Sequence, residues 1–149
     1  MLPNSKPLHL LLIDDDEDDF FILDEALQEI NSGVTLNYIN DCRKFSAVDQ
    51  KDVDLIFLDI NMPGINGIQC LKKLKESELK NVPVVMYSTT GNPAFLEQVY
   101  KSGANLFFRK PITFDALKSA LRSLLQLNWA RPDLITNAYV EDGAYKAFE

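Results

Sequence analysis

The sequence predicts an α/β chain, a five-stranded parallel sheet doubly wound with helices on both faces. Three observations predict it. Five short apolar runs recur along the chain, each about one strand long. Between them lie stretches whose apolar residues recur every three or four positions, the period of a helix face. Four of the runs also end abruptly in carboxylates, a hydroxyl or a lysine, so polar chemistry gathers at one end of the strands. Strand and helix alternate five times, and right-handed crossovers then favour a parallel sheet covered on both sides.

Leu8–Ile13 is apolar apart from His9 and stops at Asp14-Asp15-Asp16, as expected of a strand buried on both faces. His9 reads as an edge-of-strand residue. Phe20, Leu23, Leu27 and Ile30 mark the first helix, with Gly33 placed to cap its end. Val34–Ile39 is the second strand and Arg43–Gln50 a short helix. Val53–Leu58 is the third strand, ending in Asp59, and Pro63-Gly64 and Asn66-Gly67 make a tight loop. Ile68, Leu71 and Leu74 mark a helix. Val82–Tyr87 is the fourth strand, followed by the polar loop Ser88–Asn92. Phe95, Leu96, Val99 and Tyr100 line the next helix, ended by Gly103. Ala104–Arg109 is the fifth strand. Phe114, Leu117, Leu121, Leu124 and Leu125 give a final helix starting near Thr113. Pro132 breaks the helical pattern, so residues 1–128 read as one domain and 129–149 as an aromatic, mildly acidic tail with no separate output domain.

Composition narrows the function. The chain has 149 residues, 46% apolar and 25% charged, which suits one globular core. A net charge of −7 repels nucleic-acid phosphates, and Lys72, Lys73 and Lys75 are followed at once by Glu76 and Glu78. Direct nucleic-acid binding is therefore not expected. The first apolar run is too short to span a bilayer and no cleavage pattern precedes it, so the expectation is a cytoplasmic chain with no membrane contact. Cys42 and Cys70 have no CxxC neighbour and read as two reduced, packed thiols.

Ligands in doubly wound sheets bind beyond the carboxyl ends of strands, where strand order reverses. Those ends carry Asp14-Asp15-Asp16, Asp59, Ser88-Thr89-Thr90 and Lys110-Pro111. If the first and third strands are neighbours, three or more carboxylates converge. Clustered carboxylates favour a cation between them, and Mg2+ suits a small oxygen set that leaves room for water and phosphate. Lys110 offers a point charge and Ser88 a hydroxyl donor. A carboxylate can itself attack phosphorus and become an aspartyl phosphate.

Asp14-Asp15, LIFLDINMPGINGI around Asp59, VPVVMYSTTG with Ser88 and FFRKP with Lys110 stand in this order on these strand ends. Together they closely resemble the receiver domains of two-component response regulators, of the single-domain chemotaxis-regulator type, over about Leu8 to Leu127. The resemblance implies a flavodoxin-like sheet of order 2-1-3-4-5. It implies that Asp59 is the phosphoacceptor, that Asp15 binds Mg2+ directly and Asp14 largely through water, and that Asn61 gives the metal its backbone carbonyl. Ser88 matches the conformational hydroxyl, Lys110 the phosphate-binding lysine and Phe107 the aromatic switch. Lys110-Pro111 resembles the family's cis peptide. The implied partners are a sensor histidine kinase or phosphotransfer protein and a downstream protein target. No enzyme activity is implied beyond self-phosphorylation from small donors and slow autodephosphorylation.

Other readings stand beside these. Asp14 and Asp15 could stabilise a helix N-terminus, a task Asp16 or Asp18 fits better. Phe107 could be plain core, since Phe108 is a competing aromatic. Asp14, Asp16, Asp18 and Glu25 match positions of a calcium-binding EF-hand loop, but Asp19 stands where its turn needs glycine. A haloacid-dehalogenase-type phosphatase needs a second acid two residues beyond its nucleophile, and Asn61 stands there. Two departures matter: Ser88 replaces the usual threonine, and Thr89 replaces a very small residue, which should narrow access to Asp59. Trp129, Tyr139, Tyr145 and Phe148 could pack on the domain itself or extend a homodimer interface.

Overall fold

β1 (His9–Ile13) is an inner strand of the sheet, with Leu10, Leu11, Leu12 and Ile13 fully buried. The computed structural model describes residues 8–47, 52–59, 66–89 and 91–149. β1 pairs with β2 (Thr35–Ile39) on one side and β3 (Leu55–Asp59) on the other. β4 (Val84–Ser88) follows β3, and β5 (Leu106–Arg109) comes last. All pairs are parallel and the order is β2-β1-β3-β4-β5. Strand order reverses between β1 and β3, which sets a crevice at their carboxyl ends.

Strand residues alternate between two cores. Leu11, Ile13, Ile56, Leu58, Val84, Met86 and Phe107 face α2 (Gly67–Lys75) and α3 (Pro93–Lys101). Leu10, Leu12, Phe57, Val85, Tyr87 and Phe108 face α1 (Glu17–Glu29) and α4 (Phe114–Leu125). This is the doubly wound arrangement the alternation predicts. Burying a Leu- or Phe-sized side chain stabilises by about 1.5–3 kcal/mol, so these two faces carry the fold.

The helix starts are local chemistry. Asp16 accepts from the Asp18 N–H at 2.9 Å, and Glu17, Asp18 and Asp19 fill the first turn of α1. Asn66 and Gln69 form a reciprocal capping box on α2, while Asn92 with Pro93 starts α3 and Thr113 caps α4. At the end of α1, Asn31 rather than Gly33 takes the left-handed capping position, with φ 51°. The Ser32 N–H returns to the Leu27 carbonyl and the Asn31 N–H to the Gln28 carbonyl, a Schellman closure.

Several expectations are corrected. The helix read over Arg43–Gln50 is a 3-10 segment in its described part, Cys42–Ala47; residues 48–50 lie outside the described set. Cys42 and Cys70 are not free thiols. Folding brings the 3-10 segment against α2, their Cα atoms stand 5.9 Å apart, and they form a disulfide. Two cysteines 28 residues apart carry no local sign of this, because the pairing is purely tertiary. Pro132 does not end helical structure: it opens α5 (Pro132–Tyr139), where its missing N–H costs nothing. A hairpin of β6 (Val140–Glu141) and β7 (Ala144–Tyr145) follows, turning through Asp142 and Gly143, both at positive φ. The tail packs on its own domain: Ile135 and Phe148 are buried, and the Trp129 indole donates to the Leu124 carbonyl at 3.0 Å.

Candidate functional site

Asp14 is the first residue beyond β1. Its N–H donates to the Ile39 carbonyl at 3.2 Å, so the β2 edge fixes its backbone. Its Oδ1 accepts from the Asp16 N–H at 2.9 Å, and the side chain is fully buried. Asp15 beside it is exposed. Asp59 is the last residue of β3 and only 6% exposed; in register beside it on β4 is Tyr87. Ser88, the last residue of β4, is buried, and Thr89 after it is exposed. Lys110 follows β5 and is held next to β4 by its N–H to the Ser88 carbonyl, 2.8 Å. The five predicted residues Asp14, Asp15, Asp59, Ser88 and Lys110 thus stand at neighbouring strand ends. Asn61 lies outside the described residues.

One carboxylate oxygen from each of Asp14, Asp15 and Asp59 lies within 4.8 Å of the other two. That spacing suits a single hard cation. The Asp14 Oδ2 supplies the test of fit. It is buried without a hydrogen-bond partner among the described residues, a costly state that a divalent ion would relieve. Burial pushes the Asp14 carboxyl up to about 8, and the Asp19 carboxyl beside it adds to the rise. The Asp16 N–H and Lys110 pull the other way.

The cation present in the protein itself is Lys110. Its Nζ is 2.7 Å from Asp19 Oδ2, and 3.6 Å from both Asp14 Oδ2 and Asp59 Oδ1. Burial pulls this ammonium down, but the Asp19 hydrogen bond and the charges of Asp59 and Asp14 outweigh it and hold Lys110 up. Nζ also sits 4.8 Å over the Tyr87 ring, a cation–π contact. Burial pushes the Tyr87 phenol up, with Asp19, Asp14 and Asp59 adding. Asp19 and Tyr87 are the two site residues that sequence reasoning missed. An acid in the first turn after an acidic strand end is a weak signal for Asp19; nothing in the sequence marks Tyr87.

Phe107 and Phe108 separate cleanly. Phe108 faces the α1/α4 core, in contact with Phe57 and Tyr87. Phe107 is fully buried on the α3 side, edge-on to Phe95 at 6.2 Å. A Cβ added to Gly91 would lie 2.9 Å from Phe107 Cζ, so this ring packs directly beneath the backbone that follows Ser88. The expected cis bond is absent: Lys110–Pro111 is trans.

Residues 10–122 match the response regulator receiver domain. The two-component response regulator ARR17 of Arabidopsis thaliana is 34% identical over 120 residues, covering 72% of this chain and 78% of its own. Stress response regulator protein 1 of Debaryomyces hansenii is 29% identical over 128 residues, covering 83% of this chain but only 53% of its own. The chain therefore spans little more than half of that relative. Among solved structures, a chain of the CheX–CheY–BeF3–Mg2+ complex from Borrelia burgdorferi aligns with a TM-score of 0.67 at 25% identity, over 81% of this chain and 91% of its own.

Proposed function

Because this chain belongs to the response regulator receiver domain family, we propose that it accepts a phosphoryl group on Asp59 and thereby switches a protein-binding surface. The observation that carries this reading is the crevice itself: Asp14, Asp15 and Asp59 gathered within reach of one cation, with Lys110 3.6 Å from Asp59.

An Asp59 oxygen attacks the donor's phosphorus. A P–O bond forms as the P–N bond to the donor's phosphohistidine breaks, and the histidine leaves with the electron pair and takes up a proton. Asp14, Asp15, Asp59 and the Asn61 carbonyl would hold Mg2+, which neutralises charge on the phosphoryl oxygens when bound. Lys110 leaves Asp19 for the new phosphoryl group, which carries about −1.5 to −2 charge at neutral pH. Ser88 donates its hydroxyl to the same group and draws its loop inward. Thr89 limits the donors that reach Asp59, and Phe107 repacks beneath Gly91. Asn61 supplies no second acid, so the phosphate is stored rather than rapidly hydrolysed. The unmodified and phosphorylated shapes are two populations of one protein, and the modification shifts their balance.

The partners on this reading are a sensor histidine kinase or phosphotransfer protein upstream and a protein target downstream, in the cytoplasm. Residues 1–128 form the receiver and 129–149 its tail. No described helix is long and apolar enough to cross a membrane. The test is intact mass after incubation with phosphoramidate, with and without Mg2+, for the wild type and Asp59→Asn. One phosphoryl adduct that needs both Mg2+ and Asp59 supports the reading. An adduct that persists in Asp59→Asn, or none in the wild type with any donor including a histidine kinase, overturns it.

A further inference from the structure

β5 is the last strand of the parallel sheet, so one row of its backbone groups faces away from β4 and needs other partners. The chain's own C-terminal segment supplies them. The Phe148 N–H donates to the Phe107 carbonyl at 2.7 Å, and the Arg109 N–H donates to the Phe148 carbonyl at 3.1 Å. These bonds make a parallel bridge onto Phe108, a one-residue sixth strand. The Phe107 N–H donates to the Tyr100 hydroxyl at 3.0 Å, and that hydroxyl donates to the Lys146 carbonyl at 2.6 Å. The Phe148 ring meets Phe108 edge-on at 5.6 Å, Tyr145 stacks on Tyr100, and Glu149 pairs with Arg109 at 2.9 Å.

The residues that hold the tail also reach the phosphorylation crevice. Arg109 Nη2 donates to the Gly91 carbonyl at 3.2 Å, in the segment that follows Ser88 and Thr89. Phe107 packs beneath the same Gly91 and gives its carbonyl to the tail. A displacement of the Ser88 loop therefore acts on Arg109 and Phe107 together, and both grip Phe148 and Glu149.

We infer that the β5 edge with Tyr100 is an interaction surface for an extended segment, occupied in the unmodified chain by its own residues Tyr145–Glu149 and vacated when Asp59 is phosphorylated. This rests on the Asp59 reading above. The present occupant shows what fits: an extended backbone to pair with Phe107 and Arg109, an aromatic side chain against Phe108, and an acid after it for Arg109. A partner of that chemistry, adding a strand to a sheet edge, replaces the tail. Because coupling is reciprocal, whatever loosens the tail must favour the phosphorylated state by the same factor.

The experiment is hydrogen exchange on the full chain, unmodified and phosphorylated, with the adduct verified by intact mass. The Arg109 and Phe148 amides are expected to exchange at least about ten-fold faster in the adduct, while β1 and β3 amides hold their rates. An adduct with unchanged Arg109 and Phe148 exchange overturns the cover and leaves the Asp59 reading standing. Absence of any adduct overturns the Asp59 reading and this inference with it. A second arm uses Phe148→Ala and a synthetic peptide of residues 140–149. The peptide is expected to slow Arg109 exchange in Phe148→Ala and to leave the unmodified wild type unchanged. No protection of Phe148→Ala at millimolar peptide would show that the edge takes no strand in trans and would overturn the surface.

Discussion

The carboxylate crevice and the tail-covered β5 edge lie at opposite limits of polar satisfaction. In the crevice, Asp14, Asp19 and Asp59 share one lysine beside Asp15, and the Asp14 Oδ2 has no hydrogen-bond partner among the described residues. At the edge, the outward-facing Phe107 N–H, Phe107 carbonyl and Arg109 N–H each have a partner, and an aromatic ring is buried alongside. On the proposed function, the first arrangement trades stability for a place to bind cation and phosphate. The second stabilises a strand edge that would otherwise be open. The proposed function uses the crowded carboxylates, and the inferred switch disturbs the satisfied edge.

Breaking the edge should have the larger effect on stability. Phe148→Ala is expected to cost about 3 kcal/mol, the low end for a buried aromatic, because a terminal segment can detach without unfolding the rest. Urea unfolding measures it; a loss below that of an exposed-site control such as Leu134→Ala would show that the tail does not bear on the fold. Next in size is the effect of the cation on the crevice. Mg2+ at about a hundred times its Kd should stabilise the chain by about 2.7 kcal/mol. Thermal unfolding with Mg2+ against EDTA reads this, and equal midpoints would mean that the acidic cluster does not select a cation.

A smaller effect of opposite sign separates the two regions. Burial holds the Asp14 carboxyl up to about 8, so near neutral pH the folded metal-free chain must keep it protonated. Asp14→Asn keeps the shape and spares that cost, and the metal-free variant should be more stable than the wild type by about 1 kcal/mol. The same change should abolish the Mg2+ shift. A destabilised variant in EDTA would mean that Asp14 is held as a satisfied ion pair with Lys110. The smallest effect concerns rate. Thr89→Ala should load from phosphoramidate a few-fold faster, with the stability unchanged; equal loading rates would show that Thr89 does not gate Asp59.

Much of the crevice is legible in sequence because its chemistry is set by strand ends. An apolar run that stops at an acid, hydroxyl or lysine fixes where Asp14, Asp59, Ser88 and Lys110 emerge, and a parallel sheet does the rest. The sheet order itself follows from resemblance, since periodicity alone does not place β3 beside β1. Asp19 escapes because it belongs to a helix turn, and only the folded chain shows its carboxylate on Lys110. Tyr87 escapes because an aromatic in a buried strand looks like core. The disulfide and the tail are illegible for one shared reason. Cys42 with Cys70, and Phe148 with Phe107 and Arg109, are joined across long stretches of chain, the latter through backbone groups that every residue carries.

The most direct test of the central claim is to locate the phosphoryl group. Full-length chain loaded with phosphoramidate and Mg2+ would be reduced with borohydride, which converts an aspartyl phosphate to homoserine, then digested and mapped by peptide mass. Homoserine at position 59 alone, lost when Mg2+ is omitted and absent from Asp59→Asn, is the expected result. Conversion at Asp14, Asp15 or Asp19 with Asp59 intact would contradict the account, because the nucleophile would then lie elsewhere in the same crevice.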